Sequence, residues 1–237
     1  QLSEHYPHRH SMCANYRPAS REALSALPLP PPGFGYAEAY PGSVVPVVTN
    51  FAPRQWVPAI FGLVPAWAHD LKIIRSTYNA RSETLGEKPS FRHAWQHGQL
   101  CIIPAEVLFE PCYETGKSVR WAIKRADGKP MGIAGLWERK EDEAGEAHWS
   151  MTMLTINADG HPLMQRFHKP GDEKRSVVIL PDEAWGRLAA SEVRKRGARV
   201  LPGFRLGRLR SRACTALTHS RADLSPPPTG CRFILGR

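Results

Sequence analysis

The chain has 237 residues, 42% hydrophobic and 23% charged, enough for one substantial core. No run approaches the roughly 18 apolar residues that would span a bilayer, and the N-terminus has no apolar core of secretory type, so the chain reads as a cytoplasmic protein without membrane contact. Its net charge of +10 is concentrated: residues 193–237 hold 11 Lys/Arg against one acid, Asp223, while residues 1–192 balance 21 basic with 21 acidic side chains. A nucleic-acid groove in the body must then come from local placement of Arg and Lys.

In chain order, residues 1–11 are polar, His-rich and without periodicity, and are read as an extension ahead of Met12. Residues 12–192 form the expected body and contain all seven tryptophans. A short helix is predicted over 21–27, ending at the Pro-rich run from Pro28 to Pro32. Strands are predicted over 43–49 and 56–64, the first at a sheet edge because of Pro46. A helix over 90–97 is followed by strands over 100–103, 119–124, 131–137, 149–156 and 176–179. The last helix is expected over 181–190, with Pro181-Asp182-Glu183 in its first turn. Many short strands, few helices and no βαβ alternation argue for an α+β or mainly β architecture. Residues 193–237 contain no Trp, scattered Arg and a Pro226-Pro227-Pro228 run, and are expected to be a basic, poorly ordered tail.

Four short motifs carry candidate chemistry. Met12-Cys13-Ala14-Asn15-Tyr16 would leave Cys13 N-terminal if Met12 were removed. An N-terminal Cys offers an amine of near-neutral pKa beside a thiol. The amine can attack an aldehyde to give a Schiff base, and the thiolate can then close a five-membered thiazolidine. Taken blandly, Cys13 is a buried structural thiol.

The second motif, Gly62-Leu63-Val64-Pro65-Ala66-Trp67, presents an aromatic face and leads to Asn79-Ala80-Arg81. Asn79 and Arg81 point the same way in an extended segment. Asn79 can hydrogen-bond a sugar or aldehyde oxygen, and Arg81 suits a phosphate. The bland alternatives are a core Trp and a capping Asn.

In the third, Glu110 closes the apolar stretch from Leu100. Desolvation there favours the neutral acid and makes it usable as a proton shuttle; otherwise Glu110 is an exposed strand end. The fourth places His168 in a basic loop with Lys169, Lys174 and Arg175, before the apolar strand that starts at Ser176. The His suits acid/base work and the cations suit phosphates, unless the loop is merely solvated charge. The five cysteines, Cys13, Cys101, Cys112, Cys214 and Cys231, are odd in number and match no zinc or disulfide framework. There is no P-loop and no HExxH.

Taken together and in this order, Met-Cys, Gly-x-x-Pro-x-Trp, Asn-Ala-Arg-x-Glu, Pro-Ala-x4-Glu and a late His resemble the SOS-response-associated peptidase (SRAP) family across residues 12–185. The resemblance implies a compact α+β domain around a twisted, barrel-like, mainly antiparallel set of strands. It implies a sensor of abasic sites in single-stranded DNA, expected to act as a monomer with no metal and no organic cofactor, and with possible lyase activity. Cys13 would be the nucleophile, forming a thiazolidine with the ring-opened sugar. Asn79 would position the Cys or sugar, Glu110 would shuttle protons, and His168 would assist ring opening or release. Arg81, with Lys169 and Arg175, would hold phosphates, and the Trp67 region would support a bend in the strand.

Two positions depart from the family pattern. Asn15 stands where many members have Arg, and Pro111-Cys112-Tyr113 follows Glu110 where Trp is frequent. With 12 residues ahead of it, Cys13 has an amide rather than an amine, and self-removal of those residues would fit the family's name. The alternatives are a cysteine-type peptidase using Cys13, His168 and Glu110 or Asn79, a non-covalent single-stranded DNA binding module, and a basic tail that merely attracts polyanions.

Overall fold

The computed structural model describes residues 14–24, 37–183 and, as backbone only, 217–221. Position 13, the linker after Leu24 and most of the C-terminal region lie outside the described residues. None of the described helices is long and apolar enough to cross a membrane.

The described elements are short strands with few helices. In chain order they are β1 (Tyr16–Pro18), α1 (Arg21–Leu24), β2 (Val44–Thr49), β3 (Val57–Phe61), α2 (Ile74–Thr77), β4 (Asn79–Arg81), α3 (Pro89–Gln96) and β5 (Leu100–Cys112). Then follow β6 (Val119–Arg125), β7 (Met131–Glu141), β8 (Ala147–Asn157), β9 (Arg175–Val177), β10 (Ile179–Leu180) and β11 (Leu217–Arg221). Pro89 opens α3 at its first turn, where a missing N–H costs nothing. Of the predicted last helix, only Asp182 and Glu183 are described as helical. Of residues 193–237, only β11 is described, antiparallel to β6.

Five strands close on themselves. β7 pairs with β8, β8 with β3, β3 with β2, β2 with β5, and β5 returns to β7. The remaining described strands extend this barrel, and all pairings are antiparallel except β3–β8 and β4–β8. The α+β, barrel-like, mainly antiparallel class read from the sequence is the class observed. Closure removes open edges from these five strands. The interior is filled by Phe61, Ile103, Leu108, Ile133, Met151 and Met153. Each such side chain contributes about 1.5–3 kcal/mol on burial.

One proline expectation and one strand boundary need correction. β2 is not an edge strand: it has β3 on one side and β5 on the other. Pro46 is tolerated because β5 pairs only with Val48 and Thr49, and because on the β3 side it stands opposite Pro58. Two residues without N–H cannot form a hydrogen-bonded pair, so this is a non-hydrogen-bonded position of the ladder, where N–H groups would point away from the partner. The strand predicted over 100–103 continues through Pro104 to Cys112. It persists because β5 changes partners along its length, from β2 and β7 in its first half to β1 and β6 in its second.

Arg175 anchors β9 against β8. It is 2% exposed, and its guanidinium donates to both Glu83 carboxylate oxygens (3.0 and 2.8 Å), to the Thr155 carbonyl (3.0 Å) and to Thr155 Oγ1 (3.1 Å). Partial burial pushes the Glu83 carboxyl up, but the Arg175 hydrogen bonds and charge outweigh it and bring it down to about 2. The depressed value fixes the sign of the pH dependence. Stability from this pair is fully present above the ordinary value of 4.5 and is lost as the pH falls towards 2. Glu83→Ala leaves a buried cation partly uncompensated, with Glu173 and Thr155 still in place, and is expected to cost roughly 2 kcal/mol at neutral pH. Thermal unfolding across pH 6 to 2.5 checks this, because the gap between wild type and variant should narrow in acid.

Candidate active site

β4 is positioned by local hydrogen bonds before any site chemistry arises. Thr77 Oγ1 donates to the Leu63 carbonyl at 2.7 Å, Leu63 N–H to the Thr77 carbonyl at 3.2 Å, and Met153 N–H to the Tyr78 carbonyl at 3.0 Å. β4 then lies parallel to β8, with Asn79 opposite Met153 and Arg81 opposite Thr155. Ala80 is buried, whereas Asn79 is half-buried and Arg81 exposed. The alternation expected for this motif is thus the alternation seen.

The loop before β4 carries Trp67, which is 53% exposed. It starts at Gly62, where a φ of +123° and the close approach of the Ile74 side chain to the place a Cβ would occupy both require glycine. Val64 N–H donates to Ser150 Oγ at 2.9 Å and ties the loop to β8. An exposed indole on a tethered loop can stack on a planar ligand.

Glu110 lies in the second half of β5, opposite Trp121. Alternation puts it on the face of Leu108 and Cys112, both core residues, so only 1% of its side chain is exposed. His168 reaches it from the loop after Phe167: Nε2 lies 3.2 Å from Glu110 Oε2, with the imidazole 4% exposed. The contact is close enough for an ion pair but not aligned as a hydrogen bond, and neither ring nitrogen of His168 has another hydrogen-bond partner among the described residues. Buried polar atoms without partners are rare, and these two belong to a side chain suited to acid/base work.

The His168 backbone is equally unusual. Its φ is +65°, and it is the one described non-glycine residue with positive φ, a conformation that concentrates at functional sites. It is held there by His168 N–H donating to the Pro111 carbonyl at 2.9 Å and by Lys174 Nζ donating to the His168 and Lys169 carbonyls at 3.2 and 3.1 Å. The Phe167–Cys112 bridge pins the same loop from its other side.

β1 leads its N-terminal end to the same region. Tyr16 stands opposite Leu108, and the Asn15 carbonyl accepts from Phe109 N–H at 3.2 Å. Asn15 Nδ2 donates to Glu38 and to the Ala39 carbonyl, both at 3.3 Å. Arg120 Nη2 donates to Asn15 Oδ1, forms an ion pair with Glu38 at 2.9 Å, and places its guanidinium carbon 3.6 Å from the Phe109 ring centroid. Sequence reasoning passed over Arg120 because it sits near the start of β6, outside every motif. The one available signal was Asn15, a polar residue beside a core strand that needed a partner.

Of the residues selected from sequence, Glu110 and His168 are brought into contact, and Asn79 and Arg81 share one face of β4. Lys169 is exposed. Arg175 does not stand as a surface phosphate contact: it is buried and occupied by Glu83, Glu173 and Thr155. Cys13 lies outside the described residues. Cys101 and Cys112 are buried and unbridged.

Asp142, Glu146 and His148 on the β7–β8 hairpin are the described residues grouped closely enough to hold a metal ion, and all three are exposed. The turn itself explains the group, since Asp142 accepts from the Ala144 and Glu146 N–H groups and meets His148 Nε2 at 2.7 Å. A cavity of about 240 Å³ beside this hairpin, lined by Ile60, Val64, Ala68, Leu71 and Trp149, includes none of the selected residues.

The described residues thus form a closed barrel with a buried carboxylate–imidazole contact near β1. The chain belongs to the SOS response associated peptidase (SRAP) family, whose family model matches residues 30–202. It is 36% identical over 124 residues to a Bacillus subtilis protein named "Abasic site processing protein YoqW", a match covering 52% of each chain. The chain thus spans about half the length of that curated relative. An X-ray structure of a protein from Bordetella bronchiseptica matches with a TM-score of 0.73 and 33% identity, over 90% of this chain and 100% of the other. A second, from Bacteroides thetaiotaomicron, has a TM-score of 0.69 and 18% identity over 87% and 90% of the two chains. This second likeness is one of fold.

Proposed function

We propose that this protein processes abasic sites in single-stranded DNA and does so covalently, through Cys13 once that residue is N-terminal. Family membership and the printed names of the curated relatives support the substrate. The observation that carries the chemistry is the buried Glu110–His168 contact at the point where Asn15 joins β5.

In this reading the Cys13 α-amine adds to the aldehyde carbon of the ring-opened sugar. Glu110 as an acid protonates the carbinolamine oxygen, which leaves as water and gives the Schiff base. The Cys13 thiol then adds across the C=N bond, its sulfur to carbon and its proton to nitrogen, closing the thiazolidine. The net change is the loss of one water. Asn79 holds the sugar oxygen, His168 moves the proton needed for ring opening and for release, Arg81 and Lys169 meet the flanking phosphates, and Trp67 stacks on a base. Removal of the 12 leading residues by the protein itself would be the peptidase step.

The test uses two preparations, one beginning at Cys13 and one with the full sequence, each mixed with an oligonucleotide carrying one abasic site. Denaturing gels and intact mass should show a heat-stable adduct from the first, weighing protein plus DNA less one water. The full-length form should react only after losing its first 12 residues. No adduct from the first preparation would overturn the covalent reading.

A further inference from the structure

Arg81, the exposed cation of β4, already has a partner. Its Nη1 lies 2.7 Å from Glu173 Oε2, with the two side chains 46% and 35% exposed. Glu173 is held from behind as well. Its Oε1 accepts from Arg175 Nη1 at 2.8 Å and from Asn157 Nδ2 at 3.2 Å. Arg175 is fixed in turn by Glu83 and Thr155. One carboxylate oxygen is therefore anchored to a buried, rigid cation, and the other is presented to the residue best suited to bind DNA phosphate. The Arg175 hydrogen bond, more than any other influence, holds the Glu173 carboxyl below the ordinary carboxylate range, so it is ionised at neutral pH.

A carboxylate and a phosphate present similar paired oxygens to a guanidinium fork. We propose that Glu173 is a specificity-determining residue that occupies Arg81 in place of a DNA phosphate, so that Arg81 engages DNA only by exchanging one anion for the other. This inference rests on the phosphate-binding role given to Arg81 above. Exchange lowers affinity for every polyanion, and it is offset only where a phosphate meets Arg81 in the right position while the rest of the strand is also seated. Glu173 thereby acts against loose, non-specific binding, which a chain of this net charge would otherwise favour.

The test measures binding of a single-stranded oligonucleotide containing a tetrahydrofuran abasic analogue. The analogue cannot form a Schiff base, so the result is independent of Cys13 chemistry. Glu173→Gln keeps an oxygen for Arg175 and Asn157 but removes the charge facing Arg81. It is expected to tighten binding about two- to fivefold, and to tighten binding to an intact strand at least as much. Glu173→Asp keeps the charge near Arg175 but shortens its reach, and should shift affinity in the same direction; it serves if the Gln variant folds poorly. Arg81→Ala should weaken binding, and adding Glu173→Gln to it should give no gain. Unchanged or weaker binding by both Glu173 variants, with Arg81→Ala still weakening it, overturns the exchange and leaves the Arg81 assignment standing. Unchanged binding by Arg81→Ala overturns that assignment and the exchange with it.

Discussion

Glu110→Gln is expected to slow covalent capture of an abasic strand by about a hundredfold or more, the usual contribution of a positioned proton-transfer group. The substitution keeps the shape of a side chain that is 1% exposed and removes its capacity to give and take a proton, together with the charge facing His168 Nε2. Thermal stability and affinity for the unreactive tetrahydrofuran strand should change little. His168→Asn provides the companion measurement, because Asn tolerates the φ of +65° found at this position. Glu110 Oε2 and His168 Nε2 are 3.2 Å apart. If they work as one unit, the double variant should react no more slowly than the slower single variant. Single-turnover crosslinking at saturating protein, read on denaturing gels, gives both rates. A Glu110→Gln protein that reacts at the wild-type rate would remove the carboxylate from the chemistry.

A large effect on folding is expected at a residue that belongs to none of the motifs. Gly135 lies on β7 where that strand is paired with β5 and β8 together, opposite Cys101 and Met153. A Cβ there would stand 2.6 Å from the Thr152 carbonyl oxygen, 2.7 Å from Ile103 Cδ1 and 2.8 Å from Cys101 Sγ. The side chains can turn away, but the carbonyl belongs to β8 and is fixed by barrel closure. Gly135→Ala should therefore cost about 3 kcal/mol, at the upper end for overpacking, and lower Tm by about 10 °C for a protein of this size. Adding Ile103→Val should recover little, because the backbone contact remains. Calorimetry or denaturant unfolding of the single and double variants decides the point, and an unchanged Tm would show that the barrel can open to admit a methyl group.

Much of the barrel was legible because half-buried strands write themselves as runs of Val, Ile and aromatic residues. The predicted strands over 119–124, 131–137 and 149–156 fall within β6, β7 and β8. Three-residue strands such as β1 and β4 left no such run, since so short a segment has no period to detect. Pro104 concealed the continuity of β5, and Pro46 suggested an edge. In both cases the partner strands determine whether a missing N–H matters, and a local reading cannot see the partner.

The sequence by itself determined the family and the order of its motifs, because these depend on residue type and covalent connectivity alone. It also determined that Asn79 and Arg81 share a face, since alternation is a property of any extended segment. Only the tertiary structure decided which groups meet. Closure of the barrel presses the His168 loop against the end of β5, turns Arg175 inward as the anchor of Glu83 and Glu173, and sets Arg120 beside Asn15. All of these contacts except Arg175–Glu173 join residues far apart in the chain. Local pattern specifies which face of an element is apolar, whereas packing of the whole molecule selects what lies against it.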